Sequence, residues 1–255
     1  MLIGWRWAAA LVGTVLGAIA LLAWIPVYPP GVRGPRPSIR RRAGLPAPPP
    51  TKKGQRRKRE PIRRSMWVFI ALITIAFSGQ TLSYYAVTGW LPTALMDIRS
   101  MSQPQAGLAA SFFQSAGIIG PLLVPVLSSA LQWSPRRIVL VVGAAWASLP
   151  AGILLAPQLW LVWNCLGGMA QGGFFAVLMA LLVRRSRNVD ENRQATAVVQ
   201  TIGYCVAATG PVVVGWVHDN IAGWDVPFAI ILVVVLVMVA SATIAVWRGI
   251  GDEVV

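Results

Sequence analysis

Acidic residues are scarce in this chain: 8 Asp and Glu stand against 22 Lys and Arg in 255 residues, with one histidine and two cysteines. The acids are Glu60, Asp97, Asp190, Glu191, Asp219, Asp225, Asp252 and Glu253, all in loops or at the ends of apolar runs. No apolar run therefore carries the intramembrane acid that commonly relays protons in pumps and cotransporters. Cys165 and Cys205 lie inside apolar runs and offer neither a disulfide framework nor a metal spacing. No CxxC, HExxH, P-loop or glycine-rich phosphate fingerprint is present, and no nucleophile and base pair is evident. Catalytic residues, a cofactor and a metal site are accordingly not expected. No lysine falls within an apolar run, which removes a retinal-type Schiff base and with it the main support for a seven-helix receptor.

What the chain has is apolar length. It is 56% hydrophobic and 12% charged, with a mean hydropathy of +0.65, the balance of a membrane protein. Seven runs read as spans: Leu2 to Tyr28, Ser65 to Asp97, Gln105 to Leu131, Arg137 to Leu155, Leu159 to Val183, Ala195 to Val217, and Val226 to Trp247. The fold class expected is an all-α polytopic membrane helix bundle. Four parts are expected along the chain: a first helix over 1–28, a linker over 29–64, a six-helix bundle over 65–248 and a tail over 249–255. The first run could pass for a signal peptide, but its apolar core is too long and no small-residue cleavage site follows.

The linker differs abruptly from its surroundings. Pro29 to Arg64 holds nine prolines, thirteen Lys or Arg and a single acid, Glu60, so it cannot build a packed core. Its RRKRE cluster at Arg56 to Glu60 could attract lipid headgroups or nucleic acid; the favoured reading is a cytoplasmic loop, with membrane lipids and not nucleic acid as its neighbours. If the linker is cytoplasmic, so are Arg136 and Arg137, Arg184, Arg185, Arg187 and Arg193, and Arg248. That places 20 of the 22 basic residues on one side, leaving Arg6 and Arg99 for the other. The split predicts an inner-membrane protein with its N-terminus outside and its C-terminus cytoplasmic.

The second span has two characters. MWVFIALITIAF is uniformly apolar, whereas SGQTLSYYAVTGWLP carries hydroxyls, an amide and aromatics. Gln80, Tyr84 and Thr88 recur at helical spacing, with Thr81 and Tyr85 beside them, and the helix is expected to be disrupted at Pro92. An amide is costly facing lipid, so this stripe turns either to other helices or to an aqueous cavity. Other spans contribute neutral polar groups too: Gln114 with Ser111 and Ser115, Asn164 and Gln171, and Gln200 with Thr201 and Tyr204. Four amide-bearing helices point to a shared cavity more than to isolated interhelical contacts, although for any single residue both readings stay open. Pro121, Pro125, Pro150 and Pro211 break the helical ladder at defined depths. His218 with Asp219 is read as a solvated helix end.

Four stretches carry a resemblance: SGQTLSYYAVTGWLPTAL, AGLAASFFQSAGIIGPLLVPVL, GGMAQGGFFAVLMALLVRRSR and QATAVVQTIGYCVAATGPVVVGWVHDNIAGWDVPF. They resemble helices seven, eight, ten and eleven of the cyanate permease and nitroimidazole transporter branch of the major facilitator superfamily. GWRW at Gly4 to Trp7 is similar to the start of helix six. The resemblance implies the C-terminal half of a twelve-helix transporter, helices six to twelve, in which helices seven, eight, ten and eleven line a central site. The substrate-cavity candidates fall on those four: Gln80, Tyr84, Thr88, Gln114, Asn164, Gln171, Gln200 and Tyr204. The connection SSALQWSPRR departs from the family in lacking the acid of the cytoplasmic latch. The resemblance further implies an incomplete chain: a start lying upstream, a truncated remnant, or a half completed by a separately encoded half or a second copy.

The function expected is secondary transport, by alternating access, of a small polar or anionic solute such as cyanate or a nitroaromatic heterocycle. The alternative is a noncatalytic half-transporter remnant or membrane interaction protein whose basic linker binds lipid. With no mid-membrane acid in these spans, coupling to protons and facilitated diffusion both stay open.

Overall fold

The computed structural model describes residues 10, 11, 13–15, 17–22, 62–221 and 223–251, without the side chains of 65 and 248–251. The chain divides into two units, Met1–Lys58 and Arg59–Val255. In the first, the described residues include a short apolar helix, Gly13–Leu22. Most of the expected first span and nearly all of the expected linker lie outside the described residues.

In the second unit the described residues form helices joined by short turns: α1 (Arg64–Arg99), α2 (Gln103–Pro125), α3 (Pro135–Leu155), α4 (Trp160–Arg185), α5 (Val189–Ala207), α6 (Gly210–Asn220) and α7 (Asp225–Gly251). A single π-helical turn, Val126–Ala130, extends α2, and a 3-10 turn, Pro157–Leu159, leads into α4. With α5 and α6 taken as one interrupted span, six helices are long and apolar enough to cross a membrane. This is an all-α, multi-pass membrane helix bundle.

The interruption between α5 and α6 falls at Ala208 and Thr209, just before Pro211. Pro211 lacks the N–H that would continue the α5 ladder, and as the second residue of α6 it starts a new helix instead. Pro92 behaves differently from the expectation. It sits within α1, which runs on to Arg99 and ends where Ser100 turns left-handed at φ 51°. The flanking side chains explain this: Leu91, Ala94 and Leu95 are packed into the core, and their burial holds the helix through the missing hydrogen bond.

α1 is the hub. It packs against α5 and α7, and less extensively against α6, α2 and α4. Phe77, Ile70 and Ile73 of α1 meet Trp146 and Leu149 of α3, Phe174 and Leu178 of α4 and Phe228 of α7 in one apolar core. The closest contact is between α2 and α4, where glycines remove side chains from both surfaces. A Cβ on Gly120 would run into the Met169 carbonyl, and one on Gly168 into that of Phe113. Small residues allow this approach in a bilayer, where helix association relies on close packing.

Burial is uneven. Half of the most apolar window is buried in α1, α3 and α4, but only 22% in α2 and 28% in the α5–α6 span. The two most open spans flank α1 through its contacts with α2 and α5, and this exposure defines the face described next.

Candidate solute-binding face

The hydroxyls of α1 are largely consumed by their own helix. Thr74 donates to the Ile70 carbonyl at 2.7 Å, Thr81 to Phe77 at 2.8 Å and Ser83 to Gly79 at 2.7 Å. This is the low-cost solution for a hydroxyl in lipid, and it leaves these groups with little capacity for a solute. Ser83 also accepts from the Trp146 indole at 3.0 Å, tying α1 to α3.

The amides divide into two groups. Asn164 is fully buried and donates to the Ala109 carbonyl of α2 at 3.2 Å. Gln80, also buried, donates to the Gln171 carbonyl of α4 at 2.7 Å. Both ties join helices, and in each the carboxamide oxygen has no hydrogen-bond partner among the described residues. The Thr88 hydroxyl is buried without a partner in the same way. Gln171 is half-buried, with its own amide against Gly117 of α2, and Gln200 of α5 points its amide at the Met179 sulfur of α4, 3.8 Å away.

Tyr84, Gln114 and Tyr204 are the candidates that reach an open surface. The Tyr84 hydroxyl meets the Gln114 carboxamide across α1 and α2 at 3.3 Å from Oε1 and 3.2 Å from Nε2. One hydrogen bond satisfies the pair, and the exposed amide keeps donor and acceptor capacity beyond it. Tyr84 lies 5.3 Å from the exposed Tyr85 ring and stacks at 6.3 Å on Phe113, which continues to Trp146 at 6.0 Å. Two turns before Tyr84 on α1, Phe77 contacts Phe175 at 5.8 Å and receives Tyr204 edge-on at 5.3 Å. Tyr85 and Tyr204 are each about two-fifths exposed, and with Phe77 and Tyr84 two turns apart on α1 the two aromatic groups share one side of that helix.

The resulting wall is made by α1, α2 and α5, with α4 behind it. It offers aromatic rings, phenol hydroxyls and an amide, and it holds no formal charge. Such a surface can stack a flat ring and hydrogen-bond its polar substituents. Phe77, Phe113 and Phe175 were not among the sequence candidates, although each lies within a turn of a polar candidate in the chain.

Two further clusters close the ends of the bundle. At one end Arg63 donates to Glu191 at 3.1 Å and to the Arg185 carbonyl at 3.1 Å, while the Arg187 amide donates to the same carboxylate at 2.8 Å. Glu191 is buried there, at 5% exposure. At the other end Trp224 donates to Asp97 at 2.9 Å, and His218 stacks on the Trp224 ring at 4.1 Å and 19°. His218 sits half-exposed in the last turn of α6 and there belongs to an aromatic cluster with Trp90 and Trp224. In the SSALQWSPRR connection, Arg136 lies over the Trp247 ring at 4.9 Å and Arg137 over Trp133 at 5.8 Å, so aromatic faces hold the cations where an acid was missing.

Residues 1–133 and 80–252 each match the Major Facilitator Superfamily. The chain belongs to that superfamily. Among curated relatives, it is 26% identical over 171 residues to an uncharacterized transporter, YycB, of Bacillus subtilis, covering 66% of this chain and 42% of that protein. It is 26% identical over 166 residues to a 2-nitroimidazole transporter of Escherichia coli, covering 65% of this chain and 42% of that protein. A putative anionic 4-hydroxy-benzoate permease of Thauera aromatica is 28% identical over 113 residues, 44% of this chain and 66% of the permease. This major facilitator protein spans about two-fifths of the length of the first two of these relatives.

Proposed function

We propose that this chain supplies the solute-binding wall of a secondary transporter working by alternating access, and that its solute is a small, flat, polar or anionic aromatic molecule. The observation that carries the reading is the uncharged face on which Tyr84 and Gln114 share a hydrogen bond while Tyr85 and Tyr204 present exposed rings. Two relatives are named for a nitroimidazole and for hydroxybenzoate, both small rings with polar substituents, which favours this solute class over cyanate. In such carriers a binding wall works against an opposing one. The partner the reading calls for is a second helical half or a second copy of this chain, set against α2 and α5–α6. The uneven distribution of basic residues among the loops supports an inner-membrane protein with its C-terminus cytoplasmic.

Uptake of radiolabelled 2-nitroimidazole and 4-hydroxybenzoate into cells expressing the protein tests the proposal. Gln114→Ala and Tyr204→Ala are expected to lower initial uptake about tenfold, the equivalent of one lost hydrogen bond or ring contact of ~1.4 kcal/mol, at unchanged membrane abundance. Uptake of both solutes equal to that of cells lacking the protein, or insensitive to both substitutions, would refute it.

A further inference from the structure

Away from the aromatic wall, a groove runs along α4 between α2 and α3. Leu166, Met169, Gly173, Val177, Ala180 and Arg184 line it in turn, at steps of three and four residues, so one face of α4 forms its floor over 18 residues or ~27 Å. It consists of two cavities, of about 170 Å³ and 90 Å³, that share Val124 of α2 in their linings. The larger one is lined by apolar residues alone, including Ala145 of α3 and Leu123 of α2. The smaller one reaches Ser128, in the π-helical turn, and the exposed Arg184. α5 and α1 contribute nothing to either lining, so this groove is separate from the proposed solute face.

We infer that the groove is a binding site for one anionic phospholipid. An apolar trench open to the bilayer forfeits dispersion contacts unless a chain fills it, and an acyl chain is the apolar group that the bilayer supplies. Its ~27 Å exceeds the ~15 Å of hydrocarbon in one leaflet, leaving room for the glycerol and headgroup at the Arg184 end. That end is electrostatically selective. Its two described carboxylates are already engaged, Asp190 with Arg193 and Glu191 with Arg63, whereas Arg184 has no ion pair among the described residues. Arg184 presents a cation to a headgroup phosphate, and Arg136 and Arg137 follow directly on Pro135, which lines the same cavity.

The purified full chain, in detergent doped with equal phosphatidylglycerol and phosphatidylcholine of identical acyl chains, is examined by native mass spectrometry. The native protein should retain phosphatidylglycerol several-fold over phosphatidylcholine. Arg184→Gln should cut that preference at least threefold, and Ala145→Phe, which fills the trench, should remove one bound lipid of either kind. The basic linker is common to all three proteins, so its own attraction for anionic lipid cancels in the comparison. Circular dichroism and monodispersity identify any variant that fails to fold; for that case Ala180→Trp repeats the blocking test and Arg184→Lys, expected to keep the preference, repeats the charge test. An unchanged preference in Arg184→Gln overturns the anionic assignment, and an unchanged lipid count in the blocked variants overturns the site.

Discussion

Tyr84 and Gln114 illustrate how a residue in a membrane helix becomes available to a solute. Most polar side chains of α1 are spent on their own helix or on a neighbour, as with Thr81 on Phe77 and Gln80 on the Gln171 carbonyl. Where Tyr84 and Gln114 share one bond at an open surface, unused capacity remains within reach of a solute. Glu191 is the opposite case, a buried carboxylate whose acceptors are filled by Arg63 and the Arg187 amide. Removing one partner of such a pair leaves an uncompensated charge. Arg63→Ala should therefore cost about 3 kcal/mol, lowering the thermal unfolding midpoint in detergent, while the double variant Arg63→Ala with Glu191→Ala should recover part of the loss. Equal midpoints for the native and Arg63→Ala proteins would show that the pair does not secure the start of α1. The importance of Glu191 was not legible from the sequence, because its partner lies 128 residues away and an acid beside Asp190 reads as a loop charge.

At the scale of elements, glycine position decides how closely helices approach. Gly120→Ala would drive a methyl group into the Met169 carbonyl, and the backbone cannot yield without separating α2 from α4. A loss of about 1–3 kcal/mol is expected, read as a lower thermal midpoint. Gly107, in the same helix, has open space around its Cβ position, so Gly107→Ala should be neutral or gain up to ~1 kcal/mol. If the two variants behave alike, the tight α2–α4 contact is not what holds these helices. The intervals of Gly117 with Gly120 and of Gly168 with Gly172 mark small-residue faces in the sequence, but which helices those faces join is visible only in the fold. The course of α1 through Pro92 was likewise not legible, because local chemistry argues for a break and only the burial of Leu91 and Leu95 overrides it. The stacking of His218 was not legible for a related reason: its partner Trp224 comes from across a turn, at the start of the next helix.

For the molecule as a whole, span number and type follow from apolar length, and six of the seven expected spans are matched by helices among the described residues. The aromatic half of the wall needed the fold, since Phe77, Phe175 and Tyr204 are brought together from α1, α4 and α5. Orientation rests on the distribution of basic residues and has its own test. In a protein with Cys165→Ser and Cys205→Ser, a cysteine placed by Ser102→Cys should react with an impermeant maleimide on intact cells, and one placed by Gln132→Cys only after permeabilisation. The reverse pattern would invert the topology.

The claim on which the functional reading depends is that the face around Gln114 binds solute. In the same cysteine-free background, alkylation of Gln114→Cys can be timed with and without 2-nitroimidazole or 4-hydroxybenzoate, with Leu140→Cys on the exposed surface of α3 as reference. The account predicts that at least one solute slows alkylation at 114 several-fold and leaves 140 unchanged. Equal rates at 114 with and without either solute would contradict it.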